Sequence, residues 1–241
     1  MNRLVVFLFT ALIIVGISSC SDSSSPTTSG NVGGTADYGG ATFPKKGSTY
    51  NFHYFATDSV GNEVPGSAKD YTATVSLDSQ TYMGKSKAYQ VSDNGQNNYY
   101  TFEHNGDADL FLDQSVFGFF GAFLGNTLNQ WFTFPTAAHL KGYIIFDTTL
   151  KIPLLGDVAL FGRTLYIGQE SVTIGSETFT AEHCWLKISS TIINYEEEFW
   201  FVKKIGYFVH RKSKTSLLSI PGLGLGTTSG DEQIMTSYSL K

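Results

Sequence analysis

The 241-residue chain contains only two cysteines, Cys20 and Cys184. Cys20 directly follows the one long apolar run, at the start of the chain, so Cys184 has no partner in the body of the protein. This count excludes a disulfide framework. Successive residues of a strand point to opposite faces, so His183 is not placed to activate the Cys184 thiol. We therefore predict that Cys184 is a buried, unreactive side chain.

Charged residues are also scarce, at 15% of the sequence, and the formal net charge is −5. Proteins that bind nucleic acid neutralise phosphates with a basic patch or stripe. The composition therefore argues against a nucleic-acid partner.

Signatures of catalysis are absent. The chain has no His-Glu-x-x-His pair, Gly-x-Ser-x-Gly elbow, phosphate-binding loop or Cys-x-x-Cys pair. The glycine-rich stretch from Gly222 to Gly226 follows no predicted strand-to-helix junction, so it is a weak dinucleotide signal. We predict that the protein is not an enzyme and uses no cofactor. Histidines are scattered along the sequence, and whether they cluster in space stays open; they are His53, His104, His139, His183 and His210.

A calcium site is the alternative suggested by Asp107, Asp109 and Asp113, together with Asn105. Their spacing does not match the twelve-residue calcium loop with its terminal glutamate, and Asp is an ordinary turn residue. We predict no metal site.

The apolar run covers residues 4–17, follows the single cation Arg3, and ends at Ser18-Ser19-Cys20. A transmembrane helix needs roughly 20 apolar residues, whereas a secretory signal needs fewer and ends in small residues. The stretch from Ile17 to Cys20 resembles the lipobox of bacterial lipoproteins. That resemblance implies a lipid on Cys20 that anchors the protein to a membrane, and Ser21 implies the outer membrane. An ordinary cleaved signal and an uncleaved anchor helix stay open.

The domain organisation follows from this start. We predict a signal peptide over residues 1–19 and a flexible tether over residues 20–40, because Ser, Thr and Gly bury too little surface to fold. Residues 41–241 are predicted to form one β-rich domain.

Aromatic residues make up 15% of the chain, which also has 25 glycines. Short stretches of alternating apolar and polar residues, separated by turn residues, predict strands. The pairs Asn94-Gly95 and Asn105-Gly106 are strong hairpin signals because both residues tolerate a positive φ. We predict a mainly β fold: one antiparallel meander in a strongly curved sheet or half-barrel, with one or two short helices. Gln233 to Leu240 is predicted to close it.

A late hairpin is predicted from residues 195–202, a four-residue turn ending in a left-handed Gly206, and residues 207–214. If Val202 pairs with Tyr207, then Glu198 faces Arg211 and Glu197 faces Lys212. We interpret these charges as cross-strand ion pairs that set the register. A three-residue loop is the alternative, and it places Glu198 opposite Lys212.

The segment from Val116 to Leu124 breaks the strand pattern. Its bulky residues recur at helical spacing while its glycines lie on another side. A short helix or loop that plugs the core is one interpretation. A lid over a cavity for a lipid or another hydrophobic small molecule is the other, and the candidate lining residues are Phe117, Phe119, Phe120 and Phe123.

The lipobox, the tether, the strand-rich body, the central apolar insertion and the late hairpin together resemble uncharacterised bacterial envelope lipoproteins, in the broad class of the lipoprotein-localisation carriers. The resemblance implies a half-barrel closed by short helices over an apolar cavity. It leaves three hypotheses for a membrane-anchored, non-enzymatic protein: a domain that holds a lipid, an aromatic surface that binds glycan or a partner protein, and a scaffold without a small ligand.

Overall fold

Twelve β-strands follow one another in a computed structural model of the protein. The structure describes residues 38–103, 105–112, 130–137, 139–140, 142–152, 156–191, 193–217 and 227–241. The strands are β1 Thr49–Thr57, β2 Lys69–Tyr82, β3 Lys85–Asp93, β4 Gln96–Glu103, β5 Asp107–Leu112, β6 Gln130–Phe134, β7 Tyr143–Ile152, β8 Gly156–Ile174, β9 Glu177–Ser190, β10 Ile193–Val202, β11 Tyr207–Leu217 and β12 Thr227–Ser239.

All twelve strands belong to one antiparallel sheet in the order β6-β5-β4-β3-β2-β1-β12-β11-β10-β9-β8-β7. Neighbours in sequence are neighbours in the sheet, so the fold is a meander. The first and last strands pair with each other, from Thr49 opposite Ser239 to Thr57 opposite Gly230. The predicted fold class and the closing strand are therefore confirmed.

The two edge strands, β6 and β7, lie in the middle of the sequence and approach each other. Gln130 Nε2 on β6 donates to Ile145 O on β7 at 3.3 Å. Thr164 Oγ1 on β8 donates to Thr133 O on β6 at 2.6 Å. Side chains thus bridge the gap between the edge strands β6 and β7, which we call the seam and where the described residues form no ladder. The sheet is therefore nearly closed and barrel-shaped.

Aromatic side chains fill the core. Eleven of them are at most 4% exposed: Tyr50, Phe52, Tyr89, Tyr100, Phe102, Phe132, Phe134, Phe199, Phe201, Tyr207 and Phe208. Full burial of one Phe stabilises the fold by about 1.5–3 kcal/mol. Offset and edge-to-face pairs connect them, such as Tyr50 stacked on Tyr207 at 4.6 Å.

One end of this core is covered by residues 38–48 and by the β10–β11 turn. The backbone of Thr42 donates to Lys203 O at 2.9 Å. The Phe43 ring packs edge-on against Tyr89 and Phe102. Gly206 in the turn has φ 73°, and a Cβ there would lie 2.5 Å from Thr42 O. Glycine is therefore required both by conformation and by space.

The late hairpin confirms part of its prediction and corrects the rest. Val202 pairs with Tyr207, and Gly206 is left-handed, as predicted. A β-bulge between Trp200 and Phe201 shifts the register beyond it, so Glu198 faces Lys212 and Glu197 faces Ser213. The predicted pairs Glu198–Arg211 and Glu197–Lys212 are wrong because a bulge inserts one extra residue on one strand.

Two other turns have the positive φ angles that their Asn-Gly pairs predict. Asn94 and Gly95 have φ values of 47° and 85°, and Asn105 and Gly106 have 65° and 83°. Strand β8 is a single 19-residue strand that runs through Gly168. Gly168 does not end the strand, because the pairing with β9 continues after a register shift between Tyr166 and Gly168.

The described part of the chain contains strands and turns but no helix. The predicted helix from Val116 to Leu124 lies outside the described residues. Within the ranges given above, no helix has the length and apolar character needed to span a membrane. The stretch from Ala36 to Lys241 forms one compact unit.

Candidate binding site

The predicted site residues at the N-terminus and in the central insertion lie outside the described residues. They are Cys20, Phe117, Phe119, Phe120 and Phe123. Lipid attachment at Cys20 and a hydrophobic ligand lined by the phenylalanines therefore stay predictions.

Cys184 lies on the inner face of β9 and is 1% exposed. Its Sγ donates to Pro135 O at 2.9 Å. Burial raises the pKa of this thiol well above its ordinary value, so the thiolate is disfavoured. His183 points to the other face, where it stacks on Trp200. The prediction of a buried thiol separated from its neighbouring histidine is confirmed.

A narrow crevice in the core lies beside Cys184. It is too narrow to admit a water molecule. Its lining combines apolar groups with Glu182 and Lys203. This part of the core is therefore closely packed.

The aspartates of the calcium alternative that the structure describes are engaged by protein donors. Asp107 accepts from Thr136 N at 2.8 Å, Thr136 Oγ1 at 2.9 Å and Tyr143 OH at 2.5 Å. Asp109 accepts from Lys85 Nζ at 3.1 Å and Thr133 Oγ1 at 2.5 Å. These contacts tie β5 to the chain that crosses the seam, so we interpret both carboxylates as structural. Asp113 lies outside the described residues.

Four of the five histidines have described positions, and two of them lie on either side of one tryptophan. His183, Trp200 and His210 stack face to face across β9, β10 and β11, with ring centroids 4.0 and 4.2 Å apart. His53 pairs with the exposed Asp70, and His139 lies near Asp107 but is not aligned for a hydrogen bond. Among the described residues, no group of three or more His, Cys, Asp or Glu is arranged to hold a metal ion.

Carboxylates surround this histidine–tryptophan stack. His183 Nδ1 lies 2.6 Å from Glu170 Oε1, and His183 Nε2 lies 2.8 Å from Glu198 Oε2. Both nitrogens donate only when the ring carries both protons. Trp200 Nε1 donates to Glu170 Oε2, which lowers the pKa of Glu170. Trp200 is 7% exposed with both ring faces covered, so it offers no aromatic surface to a partner.

A second aromatic group lies on the outer face of the other half of the sheet. Tyr99, Phe111 and Trp131 form one row, because Tyr99 pairs with Phe111 and Phe111 with Trp131. The β2–β3 turn brings Tyr82 onto this row, stacked on Tyr99 at 3.6 Å. The next residue, Met83, is 63% exposed. We call these five residues the aromatic patch.

The aromatic patch is held in place before anything binds. Trp131 Nε1 donates to Met83 O at 3.0 Å, and the Trp131 ring packs edge-on against Tyr82 and Phe111. The Lys85 ammonium lies 5.9 Å from the Trp131 ring. Side chains that are already ordered lose little rotamer entropy on association.

Met83 is the unusual residue of the aromatic patch. Its φ is 44°, and Gly84 after it has φ 82°. A two-residue hairpin turn with two positive φ angles favours Asn-Gly, because an ordinary side chain in the left-handed region costs roughly 1–2 kcal/mol. Sequence reasoning missed this turn, since it searched for Asn-Gly pairs and not for Met-Gly.

Comparison with known proteins adds little to this geometry. No protein-family model matches the sequence, and no curated protein matches it. A crystal structure of a candidate exported protein with a YmcC-like fold, from Bacteroides fragilis, aligns with 83% of this chain and 99% of its own. The identity is 11% and the TM-score is 0.38. A likeness this loose transfers neither a function nor a location.

Proposed function

We propose that this protein is a non-enzymatic binding module, held at the bacterial envelope by a lipid on Cys20, and that it binds an apolar segment of a partner protein through the aromatic patch. The observation that supports the proposal is the exposure and backbone conformation of Met83. An apolar side chain that is 63% exposed and left-handed at a turn serves neither the core nor the turn.

The composition of the aromatic patch suits a protein partner. Trp and Tyr are the residues that most often dominate binding energy at protein interfaces. Met adapts its shape to an apolar partner because its side chain is unbranched and polarisable. The patch thus combines two stacked tyrosines and a fixed tryptophan with one flexible apolar side chain.

A glycan is a poorer fit because sugars need polar partners beside the stacking ring. The charged groups nearest the patch already bind each other: Lys85 Nζ lies 3.1 Å from Glu103 Oε2 and 3.1 Å from Asp109 Oδ2. Their side chains are 14%, 14% and 0% exposed, respectively. These charged groups are therefore engaged with one another and largely buried.

Photo-crosslinking in cells that produce the full chain tests this proposal. Benzoylphenylalanine in place of Met83 is expected to give a discrete protein adduct on irradiation. The matched control places the same group at Val60, which is 79% exposed in the loop after β1. The same adducts from both positions, or none from position 83, would contradict a protein partner. Lipid adducts at position 83 would favour the hydrophobic-ligand prediction instead.

The substitution Met83→Asn separates binding from folding. Asn tolerates the left-handed region, so the variant should unfold at a higher temperature than the wild type. With benzoylphenylalanine in place of Tyr82, the Met83→Asn variant should give less of the protein adduct than a chain that keeps Met83. A variant that is both less stable and poorer in binding would show that Met83 has a structural role.

A further inference from the structure

Sulfur-containing side chains in the part of the chain that the structure describes are Met83, Cys184 and Met235. The sulfur of each is the atom that accepts oxygen from a peroxide. Its reactivity depends on access and, for a thiol, on the ionised fraction. The surroundings of the three sulfur atoms therefore decide which of them reacts.

Two of the three sulfur atoms are protected. Cys184 is 1% exposed, and burial raises the pKa of its thiol, so little of the reactive thiolate forms. Met235 on β12 is 2% exposed and pairs with the buried Phe52 of β1. A peroxide dissolved in water has no access to either sulfur while the protein stays folded.

Met83 is the opposite case. It is 63% exposed at the β2–β3 turn. Its backbone is nevertheless fixed, because Trp131 Nε1 donates to Met83 O at 3.0 Å and Gly84 continues the turn with φ 82°. The residue is thus held at one place in the aromatic patch with most of its surface open to water.

We propose that Met83 is an oxidation site, at which a peroxide converts the thioether to a sulfoxide, and that this change weakens binding at the aromatic patch. The second part rests on the proposed function, whereas the first part does not. A lone pair of Met83 Sδ attacks one oxygen of hydrogen peroxide, and the S–O bond forms as the O–O bond breaks. The other oxygen leaves as water with both protons. Sulfur loses two electrons and the peroxide gains them.

The sulfoxide changes what the aromatic patch offers to an apolar partner. A thioether is apolar and polarisable, whereas a sulfoxide is polar and accepts hydrogen bonds. The Lys85 ammonium beside Trp131 already contacts Glu103 and Asp109, so it is engaged elsewhere. An acceptor that is buried against an apolar segment without a donor is expected to weaken association roughly tenfold.

Peptide mapping by mass spectrometry tests the oxidation site in the full chain in detergent after treatment with hydrogen peroxide. One added oxygen is expected on the peptide that contains Met83. Met235 is the internal control in the same sample. It should be oxidised at least roughly tenfold more slowly, because its sulfur is reached only when the structure opens. The melting temperature should change little, since the Met83 side chain is not part of the core.

Photo-crosslinking in cells exposed to hydrogen peroxide tests the effect on binding, with benzoylphenylalanine in place of Tyr82. The chain that keeps Met83 is expected to give less of the protein adduct after exposure. Met83→Leu is apolar but has no sulfur, so peroxide should leave its adduct yield as it was before exposure. Met83→Gln is polar without oxidation and should give little adduct with or without peroxide.

Three results would overturn the proposal. The first is oxidation of Met83 no faster than that of Met235, which would remove the site. The second is an adduct yield that does not fall although Met83 is oxidised. The third is an equal fall in Met83→Leu, which would indicate oxidation elsewhere. Absence of the adduct before exposure would contradict the proposed function instead, and the peptide map would still decide the oxidation site.

Discussion

Two groups of buried carboxylates in this sheet differ in how completely they are paired. At the seam, Asp107 receives three donated hydrogen bonds from the chain that joins β6 to β7. Near Arg211, Glu197 accepts from Arg211 and Tyr195, but Asp231 Oδ1 receives no hydrogen bond from the described residues. A fully paired carboxylate holds two elements together, whereas an acceptor left without a donor is a cost to the fold. The difference separates carboxylates that connect strands from one that does not.

The largest effect is expected from removing the Arg211 guanidinium, which interacts electrostatically with the carboxylates of Asp93, Glu197 and Asp231. Arg211→Met leaves three carboxylates near one another without their guanidinium, and breaking a buried ion pair in this way costs about 3–5 kcal/mol. Urea unfolding measures the loss. The loss should shrink as the pH falls, because protonation discharges Asp93 and Glu197. A loss that is independent of pH would indicate packing and not charge.

The next effect is expected at the seam. Asp107→Ala leaves the Thr136 and Tyr143 donors unpaired, which should lower the free energy of unfolding by about 3 kcal/mol. Asp147→Ala, at an exposed position on β7, is the matched control and should change it by less than about 0.5 kcal/mol. Similar losses in both variants would mean that Asp107 does not hold the seam.

The smallest effect is expected from Asp93→Asn, and it has a defined pH dependence. The folded state raises the pKa of Asp93 above its ordinary 3.8, so the folded state holds the proton more tightly than the unfolded state does. Wild-type stability is therefore lost as the pH rises from 3.8 through the folded pKa. The variant lacks this loss and should be relatively more stable at neutral pH than at pH 3.8. The opposite trend would show that Arg211 outweighs burial.

Local signals in the sequence predicted much of the fold. Asn94-Gly95 and Asn105-Gly106 were sufficient to place two hairpins, because Asn and Gly tolerate the positive φ angles of the turn at little cost. The pairing of Val202 with Tyr207 followed in the same way from loop length. The bulge at Trp200 was not predicted, since loop length sets the register only next to the turn.

The candidate sites were less accessible to sequence reasoning. Tyr82 and Trp131 are 49 positions apart, and they meet because the β2–β3 hairpin places Tyr82 on Tyr99 of β4, whose row includes Trp131. Asp93 and Arg211 are far apart in the chain and interact only in the curved sheet. No local period connects such residues, so neither the aromatic patch nor this pair has a sequence signature.

The sequence by itself determined the fold class, the turns and the isolation of Cys184, because strand alternation and turn conformation are decided by residues next to one another. Only the tertiary structure decided which buried polar groups are paired. That decision depends on the curvature that brings β6 to β7 and on the closure of β1 against β12. Pairing energies arise between residues far apart in the chain, so one aspartate, Asp107, is a structural link at the seam, while another, Asp231, keeps an oxygen without a donor among the described residues.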